Sequence, residues 1–255
     1  MHSAVRGSEA VISVIMPAYN EGENIFENLV VFLDTMEKLA LPYEIIIVND
    51  GSTDNTKAEI LRFQASHPSV KFVSYDVNRG KGHALKEGWK AATGKYLTFI
   101  DSDLEIHPNQ IKFYFDEIER TQADIIIGSK RHERSVINYP KKRRILSKCY
   151  NLLIRTLFRL NISDTQPGFK MMRKEAADDV FGKMVVKRYA FDLELLMNAI
   201  RDGYSIVEAP IVINFLRANG GRIKISDIGQ IFRDTMGIFF RLYITHYYDK
   251  VTPVK

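Results

Sequence analysis

The sequence predicts an α/β fold, a mostly parallel sheet with flanking helices, and three observations carry that prediction. Short apolar runs alternate with stretches of helical periodicity through the first half of the chain. Three of those runs pass straight into polar loops that hold carboxylates, as buried parallel strands do where they surface. The 255 residues suffice for one large domain with a sizeable core.

The first apolar run, 11–16, leads into Pro17-Ala18-Tyr19-Asn20-Glu21, and a helical pattern follows near 22–40. The second, 43–48, enters Asn49-Asp50-Gly51-Ser52 ahead of a helix near 53–66. Strands near 70–75, 95–100 and 123–128, with helices near 80–93 and 108–121, complete the alternation. It breaks down after Gly128. The pattern there gives a longer helix over 140–160, a loop over 161–170, a helix near 191–202, a strand near 204–215 and helical periodicity from about 226 to 247. Residues 1–10 are small, polar and unpatterned, and are left outside the fold.

Asp101-Ser102-Asp103 follows the strand run Tyr96-Leu97-Thr98-Phe99-Ile100, so two carboxylates are delivered side by side where a strand surfaces. Hard cations such as Mg²⁺ or Mn²⁺ take carboxylate oxygens and commonly share them with substrate phosphate. An Asp-X-Asp also arises at helix N-caps, and Pro108 shortly downstream starts a helix. The other polar loops weigh against that reading, because ligands of open α/β sheets lie beyond the carboxyl ends of the strands.

In that order and spacing, the words PAYNE (17–21), VNDGS (48–52), NRGKGHALKEG (78–88) and DSD (101–103) resemble the family 2 glycosyltransferases of GT-A fold. The resemblance implies a Rossmann-like nucleotide-diphospho-sugar transferase that depends on Mg²⁺ or Mn²⁺. It would consist of a catalytic domain over 11–225, including the basic helix 140–160, and a C-terminal amphipathic helical segment over 226–255.

Charge supplies the second clue. Between Arg134 and Ser163 there is no acidic residue and there are eight basic ones; without this stretch the formal net charge falls from +5 to −3. Ile145, Leu146, Cys149, Leu152, Leu153, Leu157 and Leu160 recur at helical spacing on one face, with Arg144, Lys148, Arg155 and Arg159 on the other. Such a helix suits an anionic membrane surface; packing of the apolar face on the domain would give the same pattern. Near the C-terminus, Ile228, Ile231, Phe232, Met236, Phe239, Leu242 and Tyr243 make a similar stripe, suited to a membrane interface or to an oligomer contact. Nucleic acid is disfavoured, because aromatics are not interleaved with the basic residues and the rest of the chain is acidic. No stretch reaches the roughly 18 uninterrupted apolar residues of a membrane span, and the amino terminus lacks the apolar core of a signal peptide. A peripheral protein on the cytoplasmic face of a membrane is therefore expected. The single cysteine, Cys149, cannot form an internal disulfide.

Asp164-Thr165-Gln166-Pro167-Gly168-Phe169-Lys170 and the later 189–196, YAFDLELL, are similar to the dolichyl-phosphate glucosyltransferase branch and close to the dolichyl-phosphate mannose synthases. This implies transfer of one sugar, with inversion, from a nucleotide sugar to polyprenyl phosphate. A UDP-glucose-type donor is favoured by the DTQ-GFK word, with GDP-mannose as the alternative. By the resemblance Pro17, Tyr19 and Glu21 hold the nucleoside, Asp50 contacts base or ribose, and Lys81 and Arg217 contact the donor. Asp101 and Asp103 bind the diphosphate through metal, with Glu105 as a third carboxylate. Asp103 and Arg131 are the expected catalytic residues; Arg131, Arg143, Ser147 and Lys224 receive acceptor phosphate. The bland alternatives are a first-turn helix acid for Glu21 and an exposed loop acid for Glu105.

An acceptor phosphate is already anionic and needs no general base, whereas a hydroxyl acceptor would. Asp164 and Asp192, with Glu194, are the candidate bases for that second reading. A noncatalytic membrane-surface protein retaining the fold is the third.

Overall fold

The computed structural model describes residues 11–137, 141–214 and 225–251, with the backbone alone for 141–149 and 225–228. Its first half alternates as expected: β1 (Ile12–Ala18), α1 (Ile25–Lys38), β2 (Tyr43–Asp50), α2 (Thr56–Ser66), β3 (Lys71–Tyr75), α3 (Lys81–Ala91), β4 (Tyr96–Phe99), α4 (Gln110–Thr121) and β5 (Ile125–Ser129). The second half adds β6 (Val136–Ile137), α5 (Lys141–Phe158), β7 (Phe169–Arg173), α6 (Lys174–Lys183), α7 (Phe191–Arg201), β8 (Ile206–Pro210), β9 (Val212–Ile213), α8 (Ile225–Tyr243) and α9 (Tyr247–Lys250).

The main sheet runs β3-β2-β1-β4-β7-β5-β8, and β7 alone is antiparallel to its neighbours. Successive residues of each central strand face opposite cores. Ile15, Ile46 and Val48 pack with α3, α6 and α7, while Val14, Met16, Ile45 and Ile47 pack with α1 and α4. α1 buries Ile25, Leu29, Phe32 and Met36, one stripe at helical spacing. α3 lies unusually close to the sheet, since a Cβ on Gly88 would come within 2.3 Å of Ile15 Cγ2.

Three expectations are corrected. The loop expected over 161–170 ends early, because Phe169–Arg173 inserts as β7 between β4 and β5 and α6 follows at once. The strand expected over 204–215 is broken after Pro210; β9 leaves the main sheet to pair with β6. The final helix stops at Tyr243, and His246 at φ 50° turns the chain into α9.

α5 is a helix as expected, but among its described side chains the buried ones are Asn151, Ile154 and Phe158, and Leu152 and Leu153 are exposed beside Arg155 and Arg159. Asn151 is buried because its Oδ1 accepts from both the backbone and the hydroxyl of Thr165. α8 buries Thr235 and Ile238, packs Phe239 edge-on against Phe158, and exposes Phe232, Met236, Phe240 and Tyr243. Among the described residues no helix is long and apolar enough to cross a membrane.

Candidate active site

Strand order reverses between β1 and β4, and the loops beyond their carboxyl ends, with that of β2 and the start of α3, enclose a cavity of about 360 Å³. Pro17, Tyr19, Glu21, Asp50, Lys81, Asp101 and Asp103 all line it. Sequence words up to 86 residues apart therefore meet in one place.

The loop after β1 is laced to the loop after β2. Asn20 N donates to Ser52 Oγ at 3.0 Å, Thr53 N to Asn20 Oδ1 at 2.9 Å, Glu21 N to Thr56 Oγ1 at 2.8 Å and Gly22 N to Asp54 Oδ2 at 3.0 Å. Asn20 adopts φ 54°, and a Cβ on Gly22 would stand 2.8 Å from the backbone N of Thr56, so the close approach of the two loops requires glycine there. The result presents Tyr19 at the wall, 45% exposed as a residue, with an aromatic ring on which a base can stack.

Asp50 is buried, and its carboxylate accepts four hydrogen bonds: from Tyr75 Oη at 2.7 Å, Arg79 N at 2.8 Å, Asn78 Nδ2 at 2.9 Å and Gly80 N at 2.9 Å. Its role visible here is to shape the 76–80 loop beneath the cavity. Gly80 has φ 98°, and a Cβ there would meet Lys187 O at 2.6 Å, which sets the start of α3 flush against the 184–190 loop.

Lys81, first residue of α3, reaches across to Asp101, 2.6 Å to Oδ1 and 2.8 Å to Oδ2. Desolvation pushes its ammonium down, but the carboxylates of Asp101, Asp192 and Asp103 outweigh that and hold the pKa above the usual lysine value. Asp103 Oδ1 accepts from Glu105 N at 3.1 Å, and Leu104 at φ 56° completes a tight turn that keeps Asp101 and Asp103 on the cavity wall. Glu105 is not among the lining residues. Among the described residues no three His, Cys, Asp or Glu side chains gather into a ready-made metal cage.

The expected bases are committed elsewhere. Asp164 accepts from Lys130 N and Gln166 N, at 2.9 and 3.0 Å, and pairs with Lys130 Nζ at 3.1 Å. Asp192 pairs with the buried Lys170 ammonium at 2.5 Å. Burial lowers the pKa of Lys170, and Asp192 opposes that. Glu194 is wholly buried and bonded to the backbone of Val185 and Val186. None of the three lines the cavity. Arg131 stands exposed just past β5, also off its wall. Arg217 and Lys224, and the side chains of Arg143 and Ser147, lie outside the described residues.

Asn78, Arg188 and Tyr189 also line the cavity and were missed by sequence reasoning. The available signal for Arg188 and Tyr189 was the pair of cations Lys187-Arg188 leading directly into the YAFDLELL word at Tyr189.

A family model described as glycosyl transferase family 2 matches residues 13–181. Dolichyl-phosphate beta-glucosyltransferase of Dictyostelium discoideum is 32% identical over 244 residues, covering 90% of this chain and 74% of that protein. The protein of the same name from Saccharomyces cerevisiae is 31% identical over 222 residues, covering 80% and 66%. Among solved structures, glucosyl-3-phosphoglycerate synthase from Mycobacterium tuberculosis, in complex with Mn²⁺, UDP and glucosyl-3-phosphoglycerate, superposes with a TM-score of 0.66. Its identity is 19%, over 91% of this chain and 79% of that one, a likeness of fold.

Proposed function

The chain belongs to glycosyl transferase family 2, and we propose that it moves one glucose from UDP-glucose to a polyprenyl phosphate of the dolichyl type, inverting the anomeric centre. The observation that carries the phosphate acceptor is the state of the expected bases. Asp164 and Asp192 are each paired to a lysine and Glu194 is sealed in the core, so the chemistry suits a nucleophile that arrives already ionised. The names of the curated relatives support glucose and the dolichyl acceptor.

Tyr19 offers a stacking face for the base, and the backbone around Pro17 and Glu21 bounds the nucleoside end. Asp101 and Asp103 fit a hard divalent cation: two carboxylates on one wall, with no complete cage among the described residues, leave coordination positions for donor oxygens. Mg²⁺ or Mn²⁺ held there would offset the charge that grows on the departing diphosphate. Lys81, its pKa held up by the same carboxylates, supplies a second positive charge within reach of the phosphates. By the family resemblance Arg131, Arg143, Ser147 and Lys224 take acceptor phosphate, Arg217 the donor, and Glu105 is the third carboxylate for the metal.

The protein acts at a membrane surface, on the cytoplasmic face, as a peripheral protein. Leu152 and Leu153 beside Arg155 and Arg159, and the Phe232, Met236, Phe240 and Tyr243 stripe, give two exposed amphipathic faces in support. The acceptor is tested by replacing polyprenyl phosphate with the corresponding polyprenol. Transfer should vanish; turnover on the alcohol would restore the hydroxyl reading and require a base.

A further inference from the structure

Glu194 is the most deeply buried acid among the described residues, with no exposed surface, and it stands outside the cavity. Burial raises its pKa, and its hydrogen bonds to Tyr248 and Val186 oppose that. A carboxylate is retained in such a place only when its lone pairs are filled. Here they are filled from two directions. Oε2 accepts from Val185 N at 3.0 Å and Val186 N at 2.7 Å, both in the loop between α6 and α7. Oε1 accepts from the hydroxyl of Tyr248 in α9 and from Arg241 Nη2 in α8 at 3.5 Å. Arg241 Nε donates to the Tyr248 oxygen at 2.9 Å, and Arg201 Nη2 holds the Tyr248 carbonyl at 2.8 Å.

The loop so fixed is a wall of the cavity. It carries Arg188 and Tyr189, both lining residues. It also touches the start of α3 at three points: Lys187 O accepts from His83 N at 3.1 Å, and Cβ atoms on Gly80 and Gly82 would strike Lys187 O and Val186 O at 2.6 and 2.8 Å. The same first turn holds Lys81 on Asp101. A continuous set of contacts therefore leads from Tyr248, 54 residues along the chain from Glu194, to the carboxylate pair.

We propose that Glu194 is a positioning residue for the donor nucleotide, and that Tyr248 and Arg241 make the C-terminal helices part of the donor site by holding it. The inference rests on the cavity being the donor site. Glu194 sets the 184–190 loop, the loop sets Arg188, Tyr189 and the Gly80–Lys81 turn, and these meet the nucleoside diphosphate.

The test is UDP affinity by calorimetry with Mn²⁺ present, together with donor and acceptor KM and melting temperature, for Tyr248→Phe, Glu194→Gln and Glu194→Ala. Tyr248→Phe removes one hydroxyl and should weaken UDP about fivefold, as expected for one hydrogen bond of ordinary net strength, and leave the acceptor KM unchanged. Gln can still accept from Val185 N and Val186 N but turns an amide N–H toward Tyr248 and Arg241, so Glu194→Gln should weaken UDP about as much as Tyr248→Phe, while Glu194→Ala, which also frees the loop, loses at least about tenfold. UDP affinity unchanged in folded Tyr248→Phe, with only the melting temperature lowered, would reduce Glu194 to a structural residue and overturn the inference. Equal rises in donor and acceptor KM would overturn it too. If Glu194→Ala does not fold, Tyr248→Phe decides. Failure of the wild type to bind UDP would overturn the donor reading itself, and the inference with it.

Discussion

The Lys81 ammonium lies 2.6 Å from Oδ1 and 2.8 Å from Oδ2 of Asp101, so the two groups neutralise each other across the mouth of the cavity. On the proposed function, a divalent cation taking Asp101 oxygens would compete with that ammonium, which would then be available to the donor phosphates. Lys81→Met should therefore raise the donor KM about tenfold through loss of a charge-assisted hydrogen bond. The same variant should need less Mn²⁺ for half-maximal activity, because a competitor for Asp101 is gone. Metal titrations at fixed donor concentration measure both effects.

Asp103 accepts a hydrogen bond from Glu105 N and shares the cavity wall with Asp101. Asp103→Ala should lower turnover by at least about 100-fold, the scale on which loss of preorganised charge stabilisation is felt. Circular dichroism should show an intact fold. Activity within tenfold of wild type would count against the cation reading.

Asp164 and Asp192 hold lysines in place, so their removal should cost stability more than turnover. Asp192→Asn leaves the Lys170 ammonium buried without its anionic partner, a loss of about 3–5 kcal/mol. Turnover per folded molecule should stay within about tenfold for both Asp164→Asn and Asp192→Asn, where loss of a general base would cost about 10²–10⁴-fold. Urea unfolding alongside active-site-normalised kinetics separates the two.

Asp54 ties the loop after β1 to the loop after β2. Desolvation pushes its carboxyl up, but hydrogen bonds from Thr56 and Gly22 outweigh this and hold its pKa below the ordinary 3.8. A depressed folded pKa gives stability that is complete above the unfolded value and disappears as pH falls through the folded one. Asp54→Ala should thus lower the melting temperature at neutral pH, by an amount equivalent to about 1 kcal/mol. The difference from wild type should shrink once pH drops below 3.8. Melting curves from neutral pH down to the acid limit of solubility check it.

β1 to β5 and α1 to α4 were legible because each is bounded by Gly, Pro, Asn or Asp and has a single clear period. The cavity was legible for the same reason, since its residues stand at strand ends. β7 was not. Phe169–Arg173 is buried on both faces, so it shows no alternation, and its Lys170 reads as loop until Asp192, from a different element, is seen to neutralise it. Neither could the pattern of α5 reveal that Asn151 faces inward toward Thr165 while Leu152 and Leu153 face out. Arg188 and Tyr189 reach the cavity through a loop held by Glu194, a long-range contact with no local signature.

The most direct measurement is transfer of radiolabelled glucose from UDP-glucose to a short polyprenyl phosphate, with Mg²⁺ or Mn²⁺ and with chelator, counting the extracted lipid phase. We expect label in lipid only when metal is present. Donor consumed while the lipid stays cold, or lipid labelled equally under chelator, would contradict it.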